Sequence, residues 1–387
     1  MVCPVYRATG NEALSARGKR RLLESSLSDK PSPVFKDIFA KCLLCGACES
    51  VCPRELPILS DVVESRAAFS FIYGHHGIRK AFADELLLHP SLLNGLLKAA
   101  GGMAKLASIP YSSGLRYKMP FLNEWFKHEK GRMNESEPTT TNNMASVYLF
   151  TGCYARYIQP SIISSLNKLL GYQEEKASSI PAEQRCCGLA TFSMGGVDRA
   201  RGLAKDNIVA FEGSGNPIIV GCASCYSQLK KYPELLREEG GWHERALAFS
   251  DRLRSFEQFF TPLINSGVFR IPSYQRILHH VSCHQRFHDD HAACPRDPYA
   301  KINNTTYVGE TDKCCGFGGL FQIGYPGISR SIFERGYDVV KRLEPTVVLT
   351  SCSGCHIWWS MELARLKSPC ACLHPASLLA SYLPDAQ

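Results

Sequence analysis

Apolar residues follow two rhythms along this 387-residue chain. Four short continuous runs, Val147 to Phe150, Pro217 to Val220, Ile277 to Val281 and Thr346 to Leu349, have the length and bounding of strands. Between them, Val197 to Phe211 and Ser329 to Leu343 show the spacing of helices. Alternating strands and helices predict small α/β layers with parallel pairing. From about Arg66 to Ser108 the apolar positions Phe69, Ile72, Phe82, Leu86, Leu93, Leu96 and Leu97 recur at helical intervals. Two or three amphipathic helices are expected there, packed on neighbouring protein, with a membrane surface as the alternative cover. The polar run Glu129 to Asn143 has no periodicity and reads as a linker.

The C-terminal part is an internal repeat. Cys153 and Cys283 are 130 residues apart, as are Cys222 and Cys352, and Cys225 and Cys355; Cys186 and Cys314, and Cys187 and Cys315, are 128 apart. In each copy a strand-type run leads into the first cysteine. A Cys-Cys-Gly turn, a helix, a second strand and a Cys-x-x-Cys opening another helix follow. Ligands of α/β layers gather at the carboxyl ends of strands, where all ten of these cysteines are expected.

Composition changes this picture mainly through its 18 cysteines. A chain of this length with 45% hydrophobic residues supports two or three domains and excludes disorder. The N-terminus has no apolar signal core, and no run approaches the ~18 apolar residues of a membrane span. A cytoplasmic protein is expected, peripheral at the inner face of the membrane if it meets lipid at all. Closely spaced thiols in a reducing compartment are metal ligands more often than cross-links. The net charge of +8 has no polybasic block, so nucleic acid is not expected as a partner.

Cys42, Cys45, Cys48 and Cys52-Pro53 match the C-x2-C-x2-C-x3-C-P run that binds a [4Fe-4S] cluster. Its short gaps aim successive sulfurs at one cubane, and Gly46 lets the backbone approach. Zinc is the weaker reading, since it needs only four ligands in two knuckles. In two-cluster ferredoxins the fourth cysteine of each run ligates the other run's cluster. Cys3, followed by Pro4, therefore supplies the fourth ligand to Cys42, Cys45 and Cys48. Cys52 is left without its three companions, unless the chain starts upstream and holds a second cubane. The alternative is one run closing on itself through Cys52.

Each repeat carries five cysteines: Cys153, Cys186, Cys187, Cys222 and Cys225, then Cys283, Cys314, Cys315, Cys352 and Cys355. Five exceed what one tetrahedral zinc uses. A multi-iron cluster accepts adjacent thiolates more readily than a small ion does, and Gly188 and Gly316 relieve the backbone beside them. Zinc in one repeat is the competing assignment. Lys41, Arg185 and Lys313 each precede a cysteine and would offset cluster charge, or be there by coincidence. Cys352-Ser-Gly-Cys355-His356 fits the covalent haem motif, which the absence of an export signal and Tyr226 at the equivalent place in the first copy argue against. His279, His280, His284, His288 and His291 surround Cys283 as proton donors, extra ligands or plain loop residues. Cys294, Cys370 and Cys372 have no repeat counterpart and read as structural thiols.

Cys3-Pro4-Val5-Tyr6, the Ser15 to Gly18 stretch, the ferredoxin run and both five-cysteine copies resemble the iron-sulfur subunit of glycolate oxidase and related cysteine-rich (CCG) oxidoreductases. The same repeats occur in the B and D subunits of heterodisulfide reductase. The resemblance implies a ferredoxin-like segment over 1–66, a helical connector and linker over 67–146, and two α/β CCG domains over 147–265 and 272–387. It implies an oxidoreductase subunit that takes electrons from an FAD-containing 2-hydroxy-acid (glycolate or lactate type) dehydrogenase and passes them toward quinone or another acceptor. One cubane is expected in the N-terminal segment, with one or two further [4Fe-4S] clusters, noncubane in type, in the CCG domains. The alternative it implies is disulfide cleavage at such paired noncubane clusters. No flavin, nicotinamide or substrate pocket is visible in the sequence, so the hydroxy-acid chemistry belongs to a partner.

Overall fold

The structure is a computed structural model and describes residues 2–25, 32–69, 77–89, 146–173, 178–272, 274–287, 298–302, 306–311 and 313–384. The expected linker and the positions Ile72, Leu93, Leu96, Leu97, His288, His291 and Cys294 lie outside the described residues.

Each repeat builds one four-stranded sheet, and every described pairing is parallel. The first orders its strands β2-β1-β3-β4, with β1 Val147–Phe150, β2 Ser178–Ser179, β3 Ile218–Val220 and β4 Leu253–Ser255. The second orders β6-β5-β7-β8, with β5 Arg276–His280, β6 Thr306–Thr311, β7 Val347–Leu349 and β8 Ala371–Leu373. The register repeats too. Tyr148 pairs with Ile218 and Phe150 with Val220; 130 residues further, Leu278 pairs with Val348. The helix expected at Val197 to Phe211 has those bounds, and the one expected at Ser329 to Leu343 begins a turn earlier, at Pro326. Pro326 occupies the first helical turn, where its missing N–H costs nothing.

Leu149, Ile219, Ile277 and Leu349 belong to one core shared by both repeats. The helices Ser161–Tyr172 and Pro375–Ser381 pack against each other across it, and Lys168 Nζ donates to Ala380 O at 2.9 Å. The remaining faces are filled separately. In the first repeat Phe211 packs tilted against Phe150 and edge-on against Phe249 at ring separations of 5.9 and 6.0 Å, and Phe333 lies 4.7 Å from Trp359 in the second. Among the described residues no helix is long and apolar enough to cross a membrane.

The N-terminal segment contributes the helices Pro4–Thr9, Ala16–Leu23, Pro33–Ala40 and Ile58–Ala67. Its core of Val5, Leu14, Phe35, Phe39, Val62 and Phe69 continues into Phe321, Tyr325 and Ile332 of the second repeat. Arg66 ties it to the first repeat. The buried guanidinium donates to the carbonyls of Phe39, Ala40 and Cys42 at 2.8–3.2 Å, and to Ser193 O at 2.5 Å. The segment is thus anchored to both repeats. Of the amphipathic helices expected after Arg66, the described residues hold Gly77–Leu88; Phe69 is buried whereas Phe82 is 57% exposed.

The two Cys-Cys-Gly turns use left-handed glycines, Gly188 at φ 82° and Gly316 at φ 86°. Their surroundings differ: a Cβ on Gly316 would lie 2.4 Å from Ser329 O, whereas on Gly188 the nearest atom would be Leu203 Cδ1 at 3.4 Å. Gly188→Ala is therefore expected to cost about 1–2 kcal/mol from backbone strain alone. Gly316→Ala adds overpacking and should cost about 2–4 kcal/mol. Urea unfolding of the two variants checks the order.

Candidate metal centres

In the N-terminal segment Cys3 caps the helix Pro4–Thr9, its Sγ accepting from Tyr6 N at 3.5 Å. Cys42 follows the helix Pro33–Ala40. Leu44 at φ 52° and Gly46 at φ 80° then turn the chain. The result is one cavity lined by Cys3, Cys42, Cys45 and Cys48, with Gly46 and Lys19 in its wall. Cys52 is not part of that wall. Its thiol is pulled down in pKa by the backbone N–H groups of Leu56 and Arg54. Burial pushes Cys45 and Cys48 up to about 12, so as free thiols they stay protonated and a metal must displace those protons.

The buried cation at this cavity is Lys19. It is 3% exposed, its Nζ donates to Leu14 O, and burial lowers its pKa while Cys42 and Cys3 pull it back up. Lys41 also lines the cavity, with its Nζ 2.5 Å from Asp37 Oδ2. Arg185 and Lys313, the other two basic residues preceding cysteines, are exposed.

In the first repeat the five thiols form a contact chain: Cys153 meets Cys186, Cys187 meets both Cys186 and Cys225, and Cys225 meets Cys222. Cys186 and Cys222 are lowered by the thiols that donate to them, and Cys153, Cys187 and Cys225 are raised. In the second repeat Cys314 meets Cys315, Cys315 lies 3.3 Å from Cys355, and Cys355 meets Cys352. Cys283 is raised by burial, feels Cys45, Cys352 and Cys315, and touches His284 Nδ1 at 3.7 Å. Cys370 and Cys372 lie in the second repeat's apolar core.

The three sets adjoin. Cys222 is in side-chain contact with Cys352, Ser353 N donates to Cys222 Sγ at 3.3 Å, and Ala223 N donates to Ser351 O at 3.1 Å. The two Cys-x-x-Cys helix starts therefore face each other. Cys45 is near enough to raise both Cys283 and Cys314. Sets of four and five converging thiols fit multi-iron sulfur clusters, and five fit a single tetrahedral ion poorly.

Residues 147–230 and 277–359 match the cysteine-rich domain named CCG, and residues 1–56 match the 4Fe-4S dicluster domain. The chain carries two CCG cysteine-rich domains behind a 4Fe-4S dicluster domain. This CCG protein is 25% identical to a probable glycolate oxidase iron-sulfur subunit of Bacillus subtilis, over 97% of its own length and 90% of the relative's. It is 26% identical to the D subunit of a dihydromethanophenazine:CoB–CoM heterodisulfide reductase of Methanosarcina barkeri, over 91% and 84%. Lactate utilization protein A of an Exiguobacterium species is 25% identical over 61% of this chain and 97% of its own. Iron-sulfur oxidoreductase chemistry follows from these matches.

His356 of the CCG protein's C-x-x-C-H string points its Nδ1 at Tyr154 OH, 2.8 Å away, in the first repeat. The haem reading of that string has no support here. Lys19 and Arg66 carry no signal in the sequence, because a basic residue that becomes buried resembles any other on a basic stretch.

Lys19→Met in the CCG protein should lower the midpoint potential of the N-terminal cluster. A cation in the cavity wall favours the more negative reduced cluster, and losing it several ångströms away at an effective dielectric near 20 costs on the order of 100 mV. An EPR-monitored redox titration reads the shift.

Proposed function

We propose that this chain is the electron-transfer subunit of a flavin-dependent 2-hydroxy-acid dehydrogenase, of the glycolate or lactate type, that delivers electrons toward quinone. The N-terminal centre would be held by Cys3, Cys42, Cys45 and Cys48, and the other two by the five-thiol sets. The observation that carries the reading is the adjacency of all three sets, through Cys45 to Cys283 and Cys314, and through Cys352 to Cys222. A partner flavin takes two electrons and two protons as the hydroxy acid becomes the oxo acid. The clusters pass the electrons singly, and quinone takes both with two protons from water. The relatives' names, a glycolate oxidase subunit and a lactate utilization protein, support the substrate class.

A second reading draws on the two five-thiol sets facing each other and on the heterodisulfide reductase relative. A disulfide bound between them would take two electrons and two protons and leave as two thiols. The anaerobically purified chain, reduced with viologen and offered either a soluble quinone or a disulfide, separates the two. Quinone reduction without disulfide turnover is expected. Disulfide turnover with no flavoprotein present would overturn the pure carrier.

A further inference from the structure

The two repeats differ at the end of their first strand. In β1 the last residue is Phe150, an aromatic that packs 5.9 Å from Phe211. The position 130 residues on, at the end of β5, is His280. The registers place the two residues equivalently, because Tyr148 pairs with Ile218 as Leu278 pairs with Val348. His280 is 1% exposed, and neither of its ring nitrogens has a hydrogen-bond partner of normal geometry; the polar group it faces is the sulfur of Cys315. Leaving both polar atoms of a buried imidazole unmatched costs about 1–3 kcal/mol per group, so a partner is called for. A ring nitrogen of His280 and the sulfurs of Cys315 and Cys355 all lie within 4.8 Å of one another, the spacing of atoms that share a metal. Trp359, with its ring 5.5 Å away and edge-on, holds the imidazole in place. His279, the neighbouring residue, packs edge-on against Tyr299 at 4.8 Å, as alternation along a strand requires.

We propose that His280 is a nitrogen ligand of the iron-sulfur centre in the second repeat, beside Cys315 and Cys355, so that this centre has mixed imidazole–thiolate ligation and the first repeat's does not. The proposal rests on the reading that the second repeat holds iron. His280 taking the place of one of the repeat's five thiolates would remove one negative charge from the cluster's ligand set and raise its potential, as imidazole does in Rieske centres. The second centre then sits above the first and is the preferred resting place of an electron.

The test uses the full chain, purified anaerobically with its clusters and with 15N-labelled histidine. Pulsed EPR should show a directly coupled imidazole nitrogen. That coupling should vanish in His280→Phe, which copies the first repeat and so keeps the fold, and persist in His279→Leu, which copies Leu149. His280→Phe should also shift the second centre's potential downward. Iron in the second repeat with no histidine coupling, and an unchanged spectrum and potential in His280→Phe, would overturn the proposal alone. Absence of iron from the second repeat would overturn the underlying reading, and the proposal with it.

Discussion

Cys3→Ser is expected to abolish the low-potential [4Fe-4S] signal of the N-terminal segment, while Cys52→Ser leaves it in place. Cys3, Cys42, Cys45 and Cys48 wall one cavity and Cys52 is outside that wall, although Cys52 is the residue that completes the sequence motif. In two-cluster ferredoxins the fourth cysteine of a run serves the other cluster, and the cavity lining is consistent with that division. A cubane with three thiolates loses iron or falls to a three-iron form. Iron analysis and EPR of the two variants distinguish the cases, and loss with Cys52→Ser but not with Cys3→Ser would return the fourth ligand to the run itself.

Arg66→Met should destabilise the chain by more than about 3 kcal/mol, because several carbonyls lose a charged donor in a buried place. The carbonyl of Cys42 is one of them, and Ser193 O belongs to the short helix after the first Cys-Cys-Gly turn. Gly195 leaves no room for slack there: a Cβ on it would lie 2.4 Å from Ala67 N. Loosening this joint should move the N-terminal segment off the first repeat. Thermal unfolding of the apo and cluster-loaded protein, with Arg66→Lys as a comparison that keeps the charge but donates from one nitrogen, measures the effect. A shift below about 1 kcal/mol would show that the guanidinium is dispensable to the fold.

Much of the fold was legible because it repeats. Five cysteine offsets located both copies, and strand-type runs placed β1, β3, β5 and β7 to within a residue or two. Lys19 and Arg66 were not legible. Their roles come from long-range packing, since Arg66 reaches Ser193 127 residues away. His280 had a signal that was readable in principle: aligning the copies sets it opposite Phe150, an exchange of aromatic for ligand-type residue three positions before each first cysteine. The contact between Cys222 and Cys352 was illegible for another reason. Repeats show that two sites are alike, but the way their sheets fuse through a shared core decides whether the sites meet.

If all three thiol sets are iron-sulfur centres within electron-transfer reach, anaerobic purification of the full chain should yield a brown protein. Iron, sulfide and zinc analysis together with EPR-monitored reduction should then find iron and sulfide in the N-terminal segment and in both repeats. Magnetic coupling between the repeat centres is expected across Cys222 and Cys352. A colourless protein with zinc in the repeats, or iron centres that show no mutual coupling on reduction, would contradict this arrangement.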